Sequence, residues 1–169
     1  QCSVYSGTLK GRGSIENIFS IMDQLHQTYE TSELHILAPE ITKTMSDEIT
    51  NLSQNRSYDI NVISGAGKET IEAIYKISTF GLAYYDVRSN KLLKQNYPLK
   101  TLEYLKHGVI PVVNQSNAHV DLEQKGFQML TTNFSKPIID KFIEKERLPD
   151  IAISNLDLLS KSTELVVSQ

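Results

Sequence analysis

The stretch Tyr97-Pro98-Leu99-Lys100-Thr101-Leu102-Glu103-Tyr104-Leu105-Lys106-His107-Gly108-Val109-Ile110-Pro111-Val112-Val113 holds a helix and a strand in one continuous run. Pro98 opens the helix, Gly108 closes it, and Val109 to Val113 is the strand. Proline suits the first helical position because its missing N–H would have no partner there, and glycine suits the residue just past the end. Leu99 and Leu102 are expected to face the core. Lys100 and Glu103, three apart, share the outer edge of the first turn.

The same alternation continues on both sides. Val4-Tyr5-Ser6 reads as a strand, after which Ile15, Ile18, Phe19, Met22 and Leu25 recur at helical spacing. Glu33 to Leu37 is a strand stopped by Pro39, and a polar helix follows from about Glu40 to Leu52. Tyr58 to Ile63 is a strand, with Ile71, Ile74, Tyr75 and Ile77 marking the next helix. Phe80 to Tyr85 is nearly continuously apolar, as expected of a strand covered on both faces. Beyond Val113, a short helix from Asn117 to Lys125 precedes a sixth strand at Phe127 to Leu130. Helical stretches near Lys136–Glu146 and Asn155–Val167 complete the pattern. Strands alternating with helices predict an α/β fold: a doubly wound, mostly parallel six-stranded Rossmann-like sheet, helices on both faces, strand order 3-2-1-4-5-6. Residues 1–169 are expected to form one domain, with no internal repeat or linker.

Composition narrows the function. A net charge of −3 with both signs interleaved argues against a nucleic-acid binder working through a basic surface. No apolar run approaches a membrane span, and the start lacks the pattern of a secretory signal. One cysteine (Cys2) excludes an internal disulfide framework and suits a reducing, cytoplasmic setting. With four scattered histidines, it also argues against a structural metal site. The chain begins without Met on a strand already under way, so an excised piece of something longer is expected.

In doubly wound sheets ligands bind beyond the carboxyl ends of the strands, where strand order reverses. The loops to inspect are therefore 6–14, 64–68, 86–98 and 114–118. The first, Ser6 to Ser14, holds Gly7, Gly11 and Gly13 with Lys10 and Arg12, and opens a helix whose N-terminus favours an anion. It fails the dinucleotide fingerprint, since Glu16 stands at the third glycine position, and a plain turn capped by Ser14 is the alternative. Ser64 to Glu69 has the wrong spacing for a P-loop; it reads as a strand-to-helix turn or the lining of a base pocket. Glu103 could accept hydrogen bonds from two vicinal ribose hydroxyls while Lys100 and the helix terminus hold a diphosphate. The plain alternative is a solvated ion pair. His35 reads as a packed or edge residue, His107 as a complement to the helix dipole, and Cys2 as a small buried apolar residue. Asp86 and Arg88 could meet a bound sugar or be solvated loop charges. No Ser/His/Asp or Cys/His constellation falls on the binding edge.

Taken in order, Val4 to Leu9, Gly81 to Tyr85 and Tyr97 to Val113 resemble the C-terminal, donor-binding domain of GT-B glycosyltransferases (glycosyl transferases group 1), almost to the end of the chain. The specific part is Pro-Leu-Lys-x-x-Glu-Tyr followed by Gly-x-x-Pro-Val-Val. The resemblance implies transfer of a glycosyl group from a UDP- or GDP-linked sugar to a glycan or related acceptor, as in polysaccharide biosynthesis, with no metal or further cofactor. It also implies that Glu103 holds the ribose hydroxyls and that the backbone at Leu99, Lys100 and Thr101 cradles the diphosphate. Gly7 and Thr8 would face the phosphates and sugar. Thr8 stands where the family often has Arg, and Arg12, followed by Gly13, matches its Lys. Gln95 stands where retaining members often carry a second Glu, which leaves the stereochemical outcome open. The acceptor would bind an N-terminal domain absent from this chain, which also supplies any catalytic base. No catalytic residue is assigned, and the chain alone should bind nucleotide without transfer. Peripheral membrane association of the full enzyme stays open. Two rivals are a catalytically inactive binding or chaperone subunit and an NDP-sugar epimerase.

Overall fold

Alternating side chains along the strands supply both faces of the sheet, and helices cover both. The computed structural model describes residues 1–9, 12–84, 99–114, 116–133 and 136–167, without the side chains of 12–13 and 163–167. Strands β1 (Cys2–Ser6), β2 (Glu33–Ala38), β3 (Asp59–Ser64), β4 (Ser78–Ala83), β5 (Ile110–Asn114), β6 (Leu130–Thr132) and β7 (Ile139–Lys141) form one sheet in the order β3-β2-β1-β4-β5-β6-β7. All neighbours are parallel except β7, which runs antiparallel to β6. The helices are α1 (Arg12–Tyr29), α2 (Lys43–Ser53), α3 (Lys68–Ile77), α4 (Leu99–Lys106), α5 (Asn117–Gln124) and α6 (Leu148–Val167). The chain steps outward from β1 to β3, then crosses back so that β4 lies on the other side of β1. The β1/β4 seam is therefore the switch point.

Neighbouring strand residues divide between two cores. Leu34, Ile36, Leu82 and Val112 pack with Ile15, Phe19, Met22 and Leu25 of α1. Val4, Leu37, Ala83 and Val113 pack with Tyr75, Tyr104 and Leu105. Between α1 and the start of β3, Arg56 donates from Nε and Nη2 to both carboxylate oxygens of Asp23, each at 2.8 Å, and Tyr58 donates to Asp23 at 2.7 Å. No helix among the described residues is long and apolar enough to cross a membrane.

The expected architecture is present, with seven strands instead of six among the described residues. The expected helix near Lys136–Glu146 is replaced by β7 and a 3₁₀ turn at Lys145–Arg147. Side chains of α1 claim the backbone that a helix would pair internally. Gln24 accepts from the Ile139 N–H at 2.8 Å and donates to the Pro137 carbonyl at 2.7 Å. Tyr29 OH accepts from the Ile143 N–H at 2.9 Å and donates to its carbonyl at 2.8 Å. The sixth strand lies at Leu130–Thr132, later than expected, because the buried amide of Asn155 bonds both the N–H and the carbonyl of Gln128, at 2.9 and 2.8 Å. The last helix begins at Leu148, well before the expected Asn155.

Candidate functional site

Gly81 and Tyr104 shape the switch point first. Gly81 presents no side chain, and the buried Tyr104 ring lies directly on β4 in the space a Cβ would need. The Tyr104 hydroxyl accepts from the Ser6 N–H at 3.1 Å and lies 3.3 Å from the Leu82 carbonyl. One side chain thus pins α4 over the ends of β1 and β4. Tyr75 of α3 meets the Tyr104 ring edge-on, with centroids 5.3 Å apart.

That pin sets the first turn of α4 beside a crevice of ≈ 400 Å³, bordered by Ser6, Gly7, Leu37, Pro39, Gly65, Ala66, Ile71 and Lys100. Lys100 reaches inward, its Nζ 3.4 Å from both Ser6 Oγ and Tyr75 OH, and donates to Glu103 Oε2 at 2.6 Å. Its side chain is 23% exposed against 51% for Glu103, so the cation is sheltered and the carboxylate faces solvent. Burial alone would push the Lys100 ammonium toward its neutral form. The hydrogen bond to Glu103 and the nearby Tyr75 outweigh that, and its pKa lies above the ordinary lysine value. N–H groups in the first turn of any helix have no partner within it, and its end carries positive potential. The arrangement can receive an anion beside Lys100 and a pair of hydroxyls at Glu103.

The expected site residues divide. Gly7 borders the crevice, but its N–H donates to the Leu37 carbonyl at 3.0 Å. Thr8 is exposed, and its carbonyl accepts from Tyr5 OH at 3.0 Å. Arg12 begins α1, and its side chain lies outside the described residues. Lys100 and Glu103 come together as a pair. Thr101 points away from the crevice: it is fully buried and bonds His119 Nε2 at 3.2 Å, which leaves only its backbone near the site. Leu99 does not face the core; it is 76% exposed, because the buried stripe of α4 runs through Thr101, Tyr104 and Leu105 and a helix turns 99 to the far side. Pro98, and the expectations for Asp86, Arg88 and Gln95, lie outside the described residues. His35 is packed within the sheet between neighbouring strands, not at an edge. Ser6, in the first loop singled out above, does line the crevice, whereas sequence reasoning missed Tyr75 and Tyr104 as site-forming residues. Polar groups otherwise set in apolar strands and helices were the signal.

Among solved structures, the chain aligns with the C-terminal domain of LpcC, a glycosyl transferase group 1 family protein from Francisella tularensis, at a TM-score of 0.62. The match covers 95% of this chain and 84% of that one, at 10% identity. This chain has a glycosyltransferase-like fold. No protein-family model matches the sequence, and no curated protein does either.

Proposed function

We propose that this chain is the nucleotide-sugar-binding part of a glycosyltransferase that moves a glycosyl group from an NDP-sugar to a glycan or related acceptor. The observation carrying the reading is the Lys100–Glu103 pair on the first turn of α4, beside a crevice at the β1/β4 switch point. Glu103 would take the two ribose hydroxyls, and Lys100 would turn from Glu103 to the diphosphate. The backbone of Leu99 to Thr101 adds the helix-terminus field. Gly7 would border the bound donor at the end of β1. Arg12 would reach the same diphosphate from the head of α1. The apolar borders Leu37, Pro39 and Ile71 offer a surface for the base. Bond cleavage then leaves negative charge on a diphosphate already facing a cation and oriented N–H groups, the chemistry that lowers the barrier to its departure. The acceptor would come from a second domain closing over this one.

Glu103→Gln tests the assignment. It keeps the shape but weakens two charge-assisted hydrogen bonds, so NDP affinity by calorimetry should fall by roughly 1.5–3 kcal/mol. Unchanged affinity in a folded variant would remove Glu103 from the ribose site.

A further inference from the structure

At the opposite end of the sheet, β1 and β2 begin side by side, with Cys2 paired to Glu33 and Val4 to His35. Residues two apart on a strand share a face. Glu33 and His35 therefore stand together, with Cys2 next to them on the neighbouring strand. The Cys2 thiol, a Glu33 carboxylate oxygen and a His35 ring nitrogen all lie within 4.8 Å of one another. No other group of three such side chains among the described residues comes this close. His35 Nε2 and Glu33 Oε2 are 3.2 Å apart. A tetrahedral ion with bonds of about 2.0–2.1 Å to nitrogen and oxygen needs those atoms about 3.3 Å apart, so this nitrogen–oxygen pair already has the required span.

We infer that Cys2, Glu33 and His35 form a binding site for a divalent cation of the zinc class, remote from the donor crevice. The donor set selects the ion: sulfur and imidazole suit zinc, whereas magnesium and calcium want oxygen alone. Both strands lie in the sheet interior, β2 between β1 and β3 and β1 between β2 and β4, so little backbone ordering remains to be done on binding. The His35 side chain is 10% exposed and that of Glu33 39%, which leaves the fourth position open to water. Binding replaces the thiol S–H by an S–metal bond and releases the proton to solvent. At this distance from the crevice the ion would clip β1 to β2 and take no part in glycosyl transfer.

Cobalt(II) is the probe, because a thiolate ligand gives it a near-ultraviolet charge-transfer band and tetrahedral geometry gives it intense visible bands. The chelator-treated full chain is titrated with cobalt(II) and then with zinc(II), and thermal unfolding is followed with and without zinc. Both bands should rise to one cobalt per chain and vanish as zinc displaces it, and zinc should raise the unfolding temperature. Cys2→Ser should abolish the charge-transfer band and the thermal shift. His35→Asn and Glu33→Gln should each weaken cobalt binding by roughly 100-fold or more, since loss of even an outer-shell partner costs 10–100-fold. Far-ultraviolet dichroism checks each variant's fold, and the partly exposed Glu33→Gln decides the matter if His35→Asn does not fold. Absence of the charge-transfer band overturns the site. So does cobalt affinity unchanged in Glu33→Gln, or a zinc-induced thermal shift that persists in Cys2→Ser.

Discussion

Alanine at Gly81 tests what holds the crevice in shape. A Cβ there would stand 2.4 Å from Cγ, 2.5 Å from Cδ2 and 2.7 Å from Cδ1 of Tyr104, so the ring must move. Overpacking of a filled core costs ~1–3 kcal/mol. Moving the ring also strips the Ser6 N–H of its buried partner, worth about 1–3 kcal/mol. Alanine recovers up to ~1 kcal/mol through lower chain entropy in the unfolded state. Together these give a net loss of about 1–6 kcal/mol. Urea unfolding should show it as a lower midpoint at unchanged slope. Tyr104→Ala alone should cost ~3–5 kcal/mol by leaving a cavity. In the double variant the new methyl enters space the ring has vacated, so the two losses should fall short of additivity by at least about 1 kcal/mol. A Gly81→Ala loss below about 0.5 kcal/mol, within the range of an ordinary surface change, or strict additivity, would refute the contact as the reason for glycine.

Lys100→Ala should weaken NDP binding more than nucleoside binding, and the difference should shrink at high salt; equal losses for the two ligands would place Lys100 outside the phosphate site. Burial raises the Asp23 carboxyl pKa, but the hydrogen bonds from Arg56 and Tyr58 outweigh it and leave the pKa below the usual carboxylate value. The stability this adds is present above the unfolded-state pKa and is lost as pH falls through the lowered one. With the Asp23 side chain 45% exposed, solvent screens the pair, and Asp23→Asn should cost only about 1 kcal/mol at neutral pH and flatten the acid limb of a stability–pH profile. Burial pushes His119 down to about 4 from 6.5. The unfolded chain then binds the extra proton first, so stability is complete above about pH 6.5 and declines as pH falls toward 4, by up to about 3 kcal/mol. His119→Gln should remove most of that slope in urea midpoints measured from pH 4 to 7, and an unaltered slope would assign it to other groups.

The parallel sheet and its switch point were legible because they rest on local signals: apolar strands, helical periodicity, and glycines such as Gly108 with φ 71°. Lys100 and Glu103 were legible as a pair because their spacing fixes them on one helix edge. Misreadings arose where distant side chains decide local structure. Nothing in residues 136–146 announces that Gln24 and Tyr29 will take their backbone groups, and nothing near Gln128 announces Asn155. The cluster at Cys2 was illegible for the same reason. Its members are scattered in sequence and meet only because β2 returns beside β1.

The Tyr104 pin also has a consequence in time. Its hydroxyl meets the Ser6 N–H across 98 residues, and β1 gains β4 only after the long excursion through β2 and β3. On a ribosome adding ~5–20 residues each second, the roughly 70 residues between Ser6 and Ser78 take about 4–14 s to appear. Through that interval one flank of the central strand is bare, and a bare strand edge is a template for the wrong partner. The tyrosine that pins α4 to these strands arrives later still. Losses at this contact should therefore be felt by the nascent chain, as a lower yield of folded protein, before they are felt by the mature one.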